Sequence, residues 1–196
     1  MKLVGWDTVL DRDFSAGGAF GVVRTHITEA IERIKWPPDS DTFAIYPESG
    51  KKRGEGNGVL PIKNAFVRHL VECGWVREVG RFDAHYTFPR GIARPFVVEW
   101  ETGNISSSHR SVNRMALGML KGEISGGVLV VSSEELRPFL TDRIGNATEL
   151  IPYHPLWRLW SQNPGFEYLA IVTVEHDLVS RSVPRIPKMT DGRALG

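Results

Sequence analysis

Residues 81–104 constrain the fold most, because they read as two short strands joined by a segment that contains proline and glycine. Apolar residues fill one face of the second strand, and the opposite face ends in two acids: Phe96, Val98 and Trp100 alternate with Val97, Glu99 and Glu101. Successive strand side chains point to opposite faces, so Glu99 and Glu101 share a side, roughly 7 Å apart along the chain. The sequence therefore predicts two neighbouring carboxylates beside an aromatic strand.

This acidic pair indicates a metal site. Burying two carboxylates next to aromatic side chains is unfavourable unless another group neutralises them. Mg²⁺ would do so, because it prefers oxygen ligands and needs no cysteine. A third carboxylate, Asp83, lies on the polar face of the preceding strand and would complete the cluster. The alternative is a solvated edge strand whose acids pair with arginines, since alternation alone also predicts that arrangement.

The length and composition favour one globular domain. The chain has 196 residues, of which 41% are hydrophobic and 24% charged, enough for one sizeable core. We expect a single domain over residues 1–196, with a catalytic core at about 60–175 and a basic tail at 176–196. No apolar run has transmembrane length and no signal peptide is evident, so no membrane partner and a cytoplasmic location are expected.

The cysteine count and the net charge exclude some classes of site. Cys73 is the single cysteine, which excludes an intrachain disulfide framework and a cysteine-based zinc site. A net charge of +1 does not by itself indicate a polyanionic partner. An acidic metal site would, however, mask a basic cleft in that total.

Hydrophobic periodicity predicts helices and strands around the acidic stretch. The predicted helices cover residues 25–35, 61–73, 108–121, 133–140 and 155–160, and the predicted strands include 75–79, 126–131 and 168–174. Residues 1–20 give no clear assignment. The order around the acids is helix, strand, strand, strand, with acids on the second and third strands.

Three polar or basic groups are candidates for contact with nucleic acid. The first is Lys51, Lys52 and Arg53 in a glycine-rich loop, which is either a solvated turn or a phosphate contact. The second is Arg110 and Arg114, which with Lys121 lie opposite the apolar stripe of the helix at 108–121. The third is the N-I-S-S-S-H-R segment at the start of that helix. It either caps the helix, with Ser108 as one candidate N-cap, or presents Asn104, Ser106, Ser107 and His109 to base edges. For the helix face, a solvated charged surface is the alternative.

The pattern from Asp83 to Glu101 resembles the D…(D/E)-x-K motif of a nuclease superfamily, in a variant that ends in Glu-x-Glu. Three stretches extend the resemblance: residues 60–78 (L-P-I-K-N-A-F-V-R-H-L-V-E-C-G-W-V-R-E), F-D-A-H-Y with F-V-V-E-W-E-T-G-N, and M-A-L-G-M-L-K-G-E-I-S-G-G-V-L-V-V-S-S-E-E-L. In this order they cover about the middle half of the chain. The chain resembles the BglII/BstYI branch of type II restriction endonucleases, which is related to BamHI.

The resemblance implies an α/β fold with a restriction-endonuclease-like core, in which helices flank a mixed central sheet of five to six strands. Asp83 and Glu99 would bind one or two Mg²⁺ ions, and Glu101 takes the position of the motif's lysine. BamHI-type enzymes have glutamate there, whereas the BglII branch has glutamine. Asn64 falls where relatives place a further acid or amide, although an exposed helical amide is the alternative reading.

The activity implied is Mg²⁺-dependent cleavage of double-stranded DNA at a short palindrome with a GATC core, leaving 5′-phosphate and 3′-hydroxyl ends. The protein would act as a homodimer, paired functionally with a DNA methyltransferase. The alternatives are a nicking or structure-specific nuclease with the same fold, and a catalytically silent DNA-binding relative. A glycosidase does not fit, since carboxylates two residues apart on one strand would not flank a sugar.

Overall fold

The computed structural model describes residues 1–51, 55–78, 81–141 and 144–188. The strands are β1 (Lys2–Asp11), β2 (Ala44–Ile45), β3 (Val76–Arg77), β4 (Ala84–Tyr86), β5 (Phe96–Trp100), β6 (Gly126–Ser132), β7 (Tyr168–Glu175) and β8 (Leu178–Val179). The α-helices are α1 (Gly18–Glu32), α2 (Leu60–Glu72), α3 (Ile105–Leu120), α4 (Ala147–Leu150) and α5 (His154–Arg158). None of the helices in this part of the chain is both long and apolar enough to cross a membrane.

The central sheet has six strands in the order β1-β7-β6-β5-β4-β3. Strands β5, β6 and β7 run parallel, whereas β1 pairs antiparallel with β7 and the β3-β4 hairpin continues antiparallel from β5. Helix α3 forms the crossover between the parallel strands β5 and β6. The prediction of a mixed five- to six-stranded sheet flanked by helices is confirmed.

Each face of the sheet is covered by a separate apolar cluster. Helices α1 and α2 pack on the face that carries Phe96, Val98 and Trp100. Helix α3 and the segment containing α4 and α5 pack on the opposite face, which carries Val97. This alternation along β5 matches the prediction and directs Glu99 toward the α3 side of the sheet.

Several predicted element boundaries were wrong. Residues 2–11 form a full strand, and α1 begins at Gly18 rather than at residue 25. The helix predicted at 133–140 is a single 3-10 turn at Arg137–Phe139. Residues 176–188, expected in a basic tail, include strand β8 and the buried side chain of Ile186.

Candidate active site

The acidic cluster lies where β4 begins and β5 ends. Ala84 pairs with Val98 in the antiparallel register of these strands, and the Asp83 N–H donates to the Val98 carbonyl over 3.2 Å. Asp83 thus directly precedes β4 beside the end of β5, and its charge is close enough to Glu99 to raise the pKa of that carboxyl. The sheet therefore brings together two acids that are far apart in sequence.

Two contacts fix the Asp83 carboxylate. Its Oδ2 accepts a hydrogen bond from the Trp100 N–H over 2.7 Å, and its Oδ1 lies 2.5 Å from the Nζ of Lys63 on α2. The Asp83 side chain is 13% exposed. This carboxylate is therefore oriented by the end of one strand and by the first turns of one helix.

Glu99 is buried and only partly neutralised. Its Oε1 lies 3.2 Å from Nη1 of Arg114 on α3, and its Oε2 is buried without a hydrogen-bond partner among the described residues. Burial raises the pKa of Glu99 to about 7, the Arg114 charge opposes this shift, and the Asp83 carboxylate reinforces it. A cation that reaches this buried carboxylate would stabilise its ionised form.

Glu101 follows the last residue of β5 and is held by the turn into α3. Its Oε1 accepts a hydrogen bond from the Gly103 N–H over 2.6 Å. Burial raises the pKa of the Glu101 carboxyl, and the Gly103 hydrogen bond opposes the shift. A side chain at position 103 would place its Cβ 2.6 Å from the Ser107 hydroxyl and 3.1 Å from Glu101 Oε1. Glycine is thus needed for this close approach.

The carboxylate oxygens of the site fit a hard divalent cation. Asp83 just before β4 and Glu99 on the neighbouring β5 offer carboxylate oxygens, and Glu99 Oε2 is buried without a hydrogen bond to any of the described residues. Mg²⁺ is commonly held by one or two carboxylates together with water and phosphate oxygens. The site therefore offers a carboxylate pair of the kind that Mg²⁺ uses.

A second group of possible metal ligands lies between α1 and α2. In the described residues, the cluster with all ligand atoms within 4.8 Å consists of Glu29, His69 and Cys73, between α1 and α2. His69 Nδ1 is already shared by Glu72 at 3.2 Å and by the Arg33 guanidinium at 3.5 Å. Burial raises the pKa of the Cys73 thiol, which disfavours the thiolate that a metal needs. We interpret this cluster as a hydrogen-bonded helix contact.

On α2, sequence reasoning selected Asn64 but overlooked its neighbour Lys63. Asn64 Oδ1 accepts from the Arg77 guanidinium over 3.5 Å, so this contact joins α2 to β3. A role of Asn64 in the site remains a prediction. Lys63, by contrast, reaches Asp83 directly. Two facts could have indicated Lys63: the chain lacks the motif's own lysine, and a lysine stands beside Asn64 in the L-P-I-K-N start of the helix.

The start of α3 lies immediately after Glu101. Asn104 caps the helix, its Oδ1 accepting from the Ser107 N–H over 3.2 Å, so the cap is Asn104 rather than the candidate Ser108. Ser106 and Arg110 are exposed, and Arg110 donates to the Ser107 hydroxyl over 2.7 Å. Polar side chains therefore gather beside the acidic cluster.

Two other residues predicted to contact DNA have partners inside the protein. The His109 ring packs edge-on against Tyr153, with centroids 4.3 Å apart, and also lies against Trp157. Arg114 contacts Glu99 and donates to the Arg81 carbonyl, so its guanidinium is paired within the protein although the side chain is partly exposed. Lys51 is exposed, whereas Lys52 and Arg53 lie outside the described residues.

Comparisons with known proteins show the family of the chain. The family model described as restriction endonuclease BamHI matches residues 1–193. The chain is 43% identical over 184 residues to the type II restriction enzyme OkrAI of Oceanobacter kriegii, covering 89% of this chain and 90% of that protein. It is 31% identical over 198 residues to the type II restriction enzyme BamHI of Bacillus amyloliquefaciens, covering 94% and 86%.

Solved structures show the same fold at low sequence identity. The crystal structure of restriction endonuclease BglII complexed with a DNA 16-mer has a TM-score of 0.54 and 10% identity, covering 89% of this chain and 79% of that one. Free BglII gives a TM-score of 0.53 and 10% identity, covering 89% and 81%. At this identity, the likeness concerns the fold alone.

Proposed function

The chain belongs to the BamHI restriction endonuclease family, and on that premise we propose that it cleaves double-stranded DNA in a Mg²⁺-dependent reaction. The cut would fall within a short palindrome with a GATC core and leave 5′-phosphate and 3′-hydroxyl ends. The observation that carries the proposal is the proximity of the Asp83 and Glu99 carboxylates, one of whose buried oxygens has no hydrogen-bond partner in the described part of the chain.

In this proposal the site residues have distinct tasks. Mg²⁺ held by Asp83 and Glu99 would polarise the scissile phosphate and lower the pKa of an attacking water. The Glu101 carboxylate, oriented by the Gly103 N–H, accepts a hydrogen bond from that water and aligns it with the phosphorus. A new P–O bond would then form as the bond to the 3′-oxygen breaks; the proton of the attacking water would pass to Glu101, and solvent would protonate the leaving oxygen. Asn64 would support the same site from α2.

The first turn of α3 is proposed to face the DNA. Asn104 and Ser106 are exposed next to Glu101, and amide and hydroxyl groups of this kind bond to base edges. Ser107 and His109 continue the same polar turn. Arg110 is exposed beside them, and Lys51 to Arg53 would add phosphate contacts from a separate loop. Arg114, which pairs with Glu99, would act within the site rather than on the DNA surface.

We further propose that two copies of the chain act together. Exposed apolar side chains run along α3 and the segment from α4 to the end of the 3-10 turn at 159–162: Leu117, Leu120, Ile151, Tyr153, Leu156 and Leu159. A groove between Leu120 and Leu159 continues this surface. A patch of this kind is typical of an interface, and a two-fold dimer would match a palindromic site. A DNA methyltransferase would protect the host's own sites.

The proposed function is tested by digesting unmethylated plasmid and phage DNA with Mg²⁺, beside EDTA and Ca²⁺ controls, and sequencing the ends. Discrete, metal-dependent fragments that share one palindrome would support the proposal. Nicks, or cutting confined to branched substrates, would identify a structure-specific nuclease instead. Intact DNA with folded protein, across several metals, would favour a catalytically silent DNA-binding protein.

A further inference from the structure

Lys63 makes a close contact with the acidic cluster from a different element of the fold. Its Nζ lies 2.5 Å from Asp83 Oδ1, and the side chains of Lys63 and Asp83 are 23% and 13% exposed, respectively. Its charge also lowers the pKa of Glu101, against the larger effect of burial. Lys63 therefore acts electrostatically on two of the three acids.

The placement of Lys63 is tied to the strand that carries the acids. Three residues further along α2, the Phe66 ring packs against the Trp100 ring, with centroids 5.0 Å apart. The Trp100 N–H is the donor that holds Asp83. Residues three apart lie on neighbouring parts of one helix face, so the packing that anchors α2 to β5 also aims Lys63 at Asp83.

The net charge of the cluster indicates what the positive charge of Lys63 contributes. Three carboxylates and two basic groups, Lys63 and Arg114, leave one net negative charge when all are ionised. A divalent cation would turn this into one net positive charge, which matches the single negative charge of a phosphodiester. Without Lys63 the loaded site would be neutral and would attract the phosphate less.

We propose that Lys63 is a positioning residue that supplies, from helix α2, the positive charge that is missing where Glu101 stands in place of the motif's lysine. It orients Asp83 and makes the net charge of the metal-loaded cluster positive, which favours the negatively charged phosphate. In the protein without DNA, the same ammonium competes with a divalent cation for Asp83. This inference rests on the proposed nuclease function and specifies how its site is balanced.

The test compares wild type with Lys63→Met, Lys63→Arg and the control Arg68→Met, which changes an exposed residue of the same helix. Circular dichroism and thermal unfolding confirm that each variant is folded. Two quantities are measured: single-turnover cleavage with Mg²⁺ at saturating DNA, and Ca²⁺ affinity of the DNA-free protein by titration calorimetry.

Lys63→Met is expected to cleave about 100-fold more slowly, the order seen when a preorganised electrostatic group is removed. Lys63→Arg should recover at least about a tenth of the wild-type rate, because it keeps the charge. DNA-free Lys63→Met should bind Ca²⁺ about 10-fold more tightly than wild type, since Asp83 loses its competitor. Arg68→Met should match wild type in both measurements.

The inference would be overturned if Lys63→Met cleaved DNA at the wild-type rate, or if it bound Ca²⁺ with the wild-type affinity. The two measurements also separate it from the proposed function. A wild-type protein that binds Ca²⁺ but cuts no DNA would overturn the nuclease proposal. The Ca²⁺ comparison between wild type and Lys63→Met would still decide whether Lys63 controls Asp83.

Discussion

The guanidinium of Arg114 lies 3.2 Å from the carboxylate of Glu99, and this ion pair joins α3 to the end of β5. Helical periodicity predicted Arg114 on a charged outer face, whereas the structure places it against the acidic cluster from the α3 side. The pair is incomplete, because the other oxygen of Glu99 is buried and makes no hydrogen bond within the part of the chain that the structure describes. Several properties of the protein follow from this partly neutralised carboxylate.

The stability of the metal-free protein should depend on pH through Glu99. Burial raises the pKa of this group from 4.5 to about 7, so between these values the folded protein holds a proton that the unfolded chain has lost. The free energy of unfolding should therefore fall as the pH rises through this window, by up to about 3 kcal/mol from this group. Urea unfolding in EDTA between about pH 5 and pH 8 measures the change.

Glu99→Gln provides the matched control for that pH dependence, because it keeps the shape of the side chain but does not titrate. The variant should lose less stability than wild type over the same window. Equal pH slopes for the two proteins would show that Glu99 is not the titrating group. In the variant, Glu101, whose pKa burial also raises, should leave a slope of the same sign, whereas His26, His154 and His176, whose pKa burial lowers, should oppose it.

Arg110→Ala should weaken DNA binding for all sequences alike. Arg110 is exposed at the first turns of α3, where a guanidinium suits phosphate contact. The slope of log K against log salt should flatten by about one. Fluorescence anisotropy at several salt concentrations measures it, with Arg68→Ala as the control. An unchanged slope would assign Arg110 to a solvated face.

Gly103→Ala should impair cleavage more than stability. The new Cβ would lie 2.6 Å from the Ser107 hydroxyl and 3.1 Å from Glu101 Oε1, so one of these neighbours has to move. Because Glu101 Oε1 is bonded to the Gly103 N–H, we expect a cleavage rate lower by about 10-fold or more and a small shift in Tm. Retention of full activity would show that Glu101 tolerates displacement.

Leu159→Asp should convert the proposed dimer to monomers. Leu159 is exposed and lines the groove that also includes Leu120, so a carboxylate there would be buried in the interface at high cost. Analytical ultracentrifugation measures the mass, and Leu178→Asp, at an exposed leucine on β8, is the control. A wild-type monomer, or an unaffected Leu159→Asp dimer, would contradict this interface.

The sequence predicted the elements around the acids better than it predicted the N-terminal part of the fold. Strict alternation along β5 located Glu99, and Pro61 with Gly74 bounded α2 closely. Strand β1 was missed because its pairing with β7 shifts register between Leu3 and Gly5 and again between Thr8 and Leu10. Each shift moves side chains to the other face, so no regular alternation is visible.

Other misses have equally local causes. The start of α1 contains Gly18 and Gly21, which are poor helix formers and gave no helical signal. The contact between Lys63 and Asp83 depends on how α2 packs against Trp100, which no local pattern encodes. A serine-rich run offered several helix caps, and the structure selects Asn104 because its backbone is extended and its side chain reaches Ser107.

The central claim is that Asp83 and Glu99 form the metal-binding pair of a nuclease, and parallel measurement of cleavage and DNA binding tests it most directly. Single-turnover cleavage in Mg²⁺ and DNA affinity in Ca²⁺ are measured for wild type, Asp83→Ala and Glu99→Ala. We predict that both variants lose cleavage and still bind DNA. Unchanged cleavage in either variant would contradict the claim and remove the proposed site.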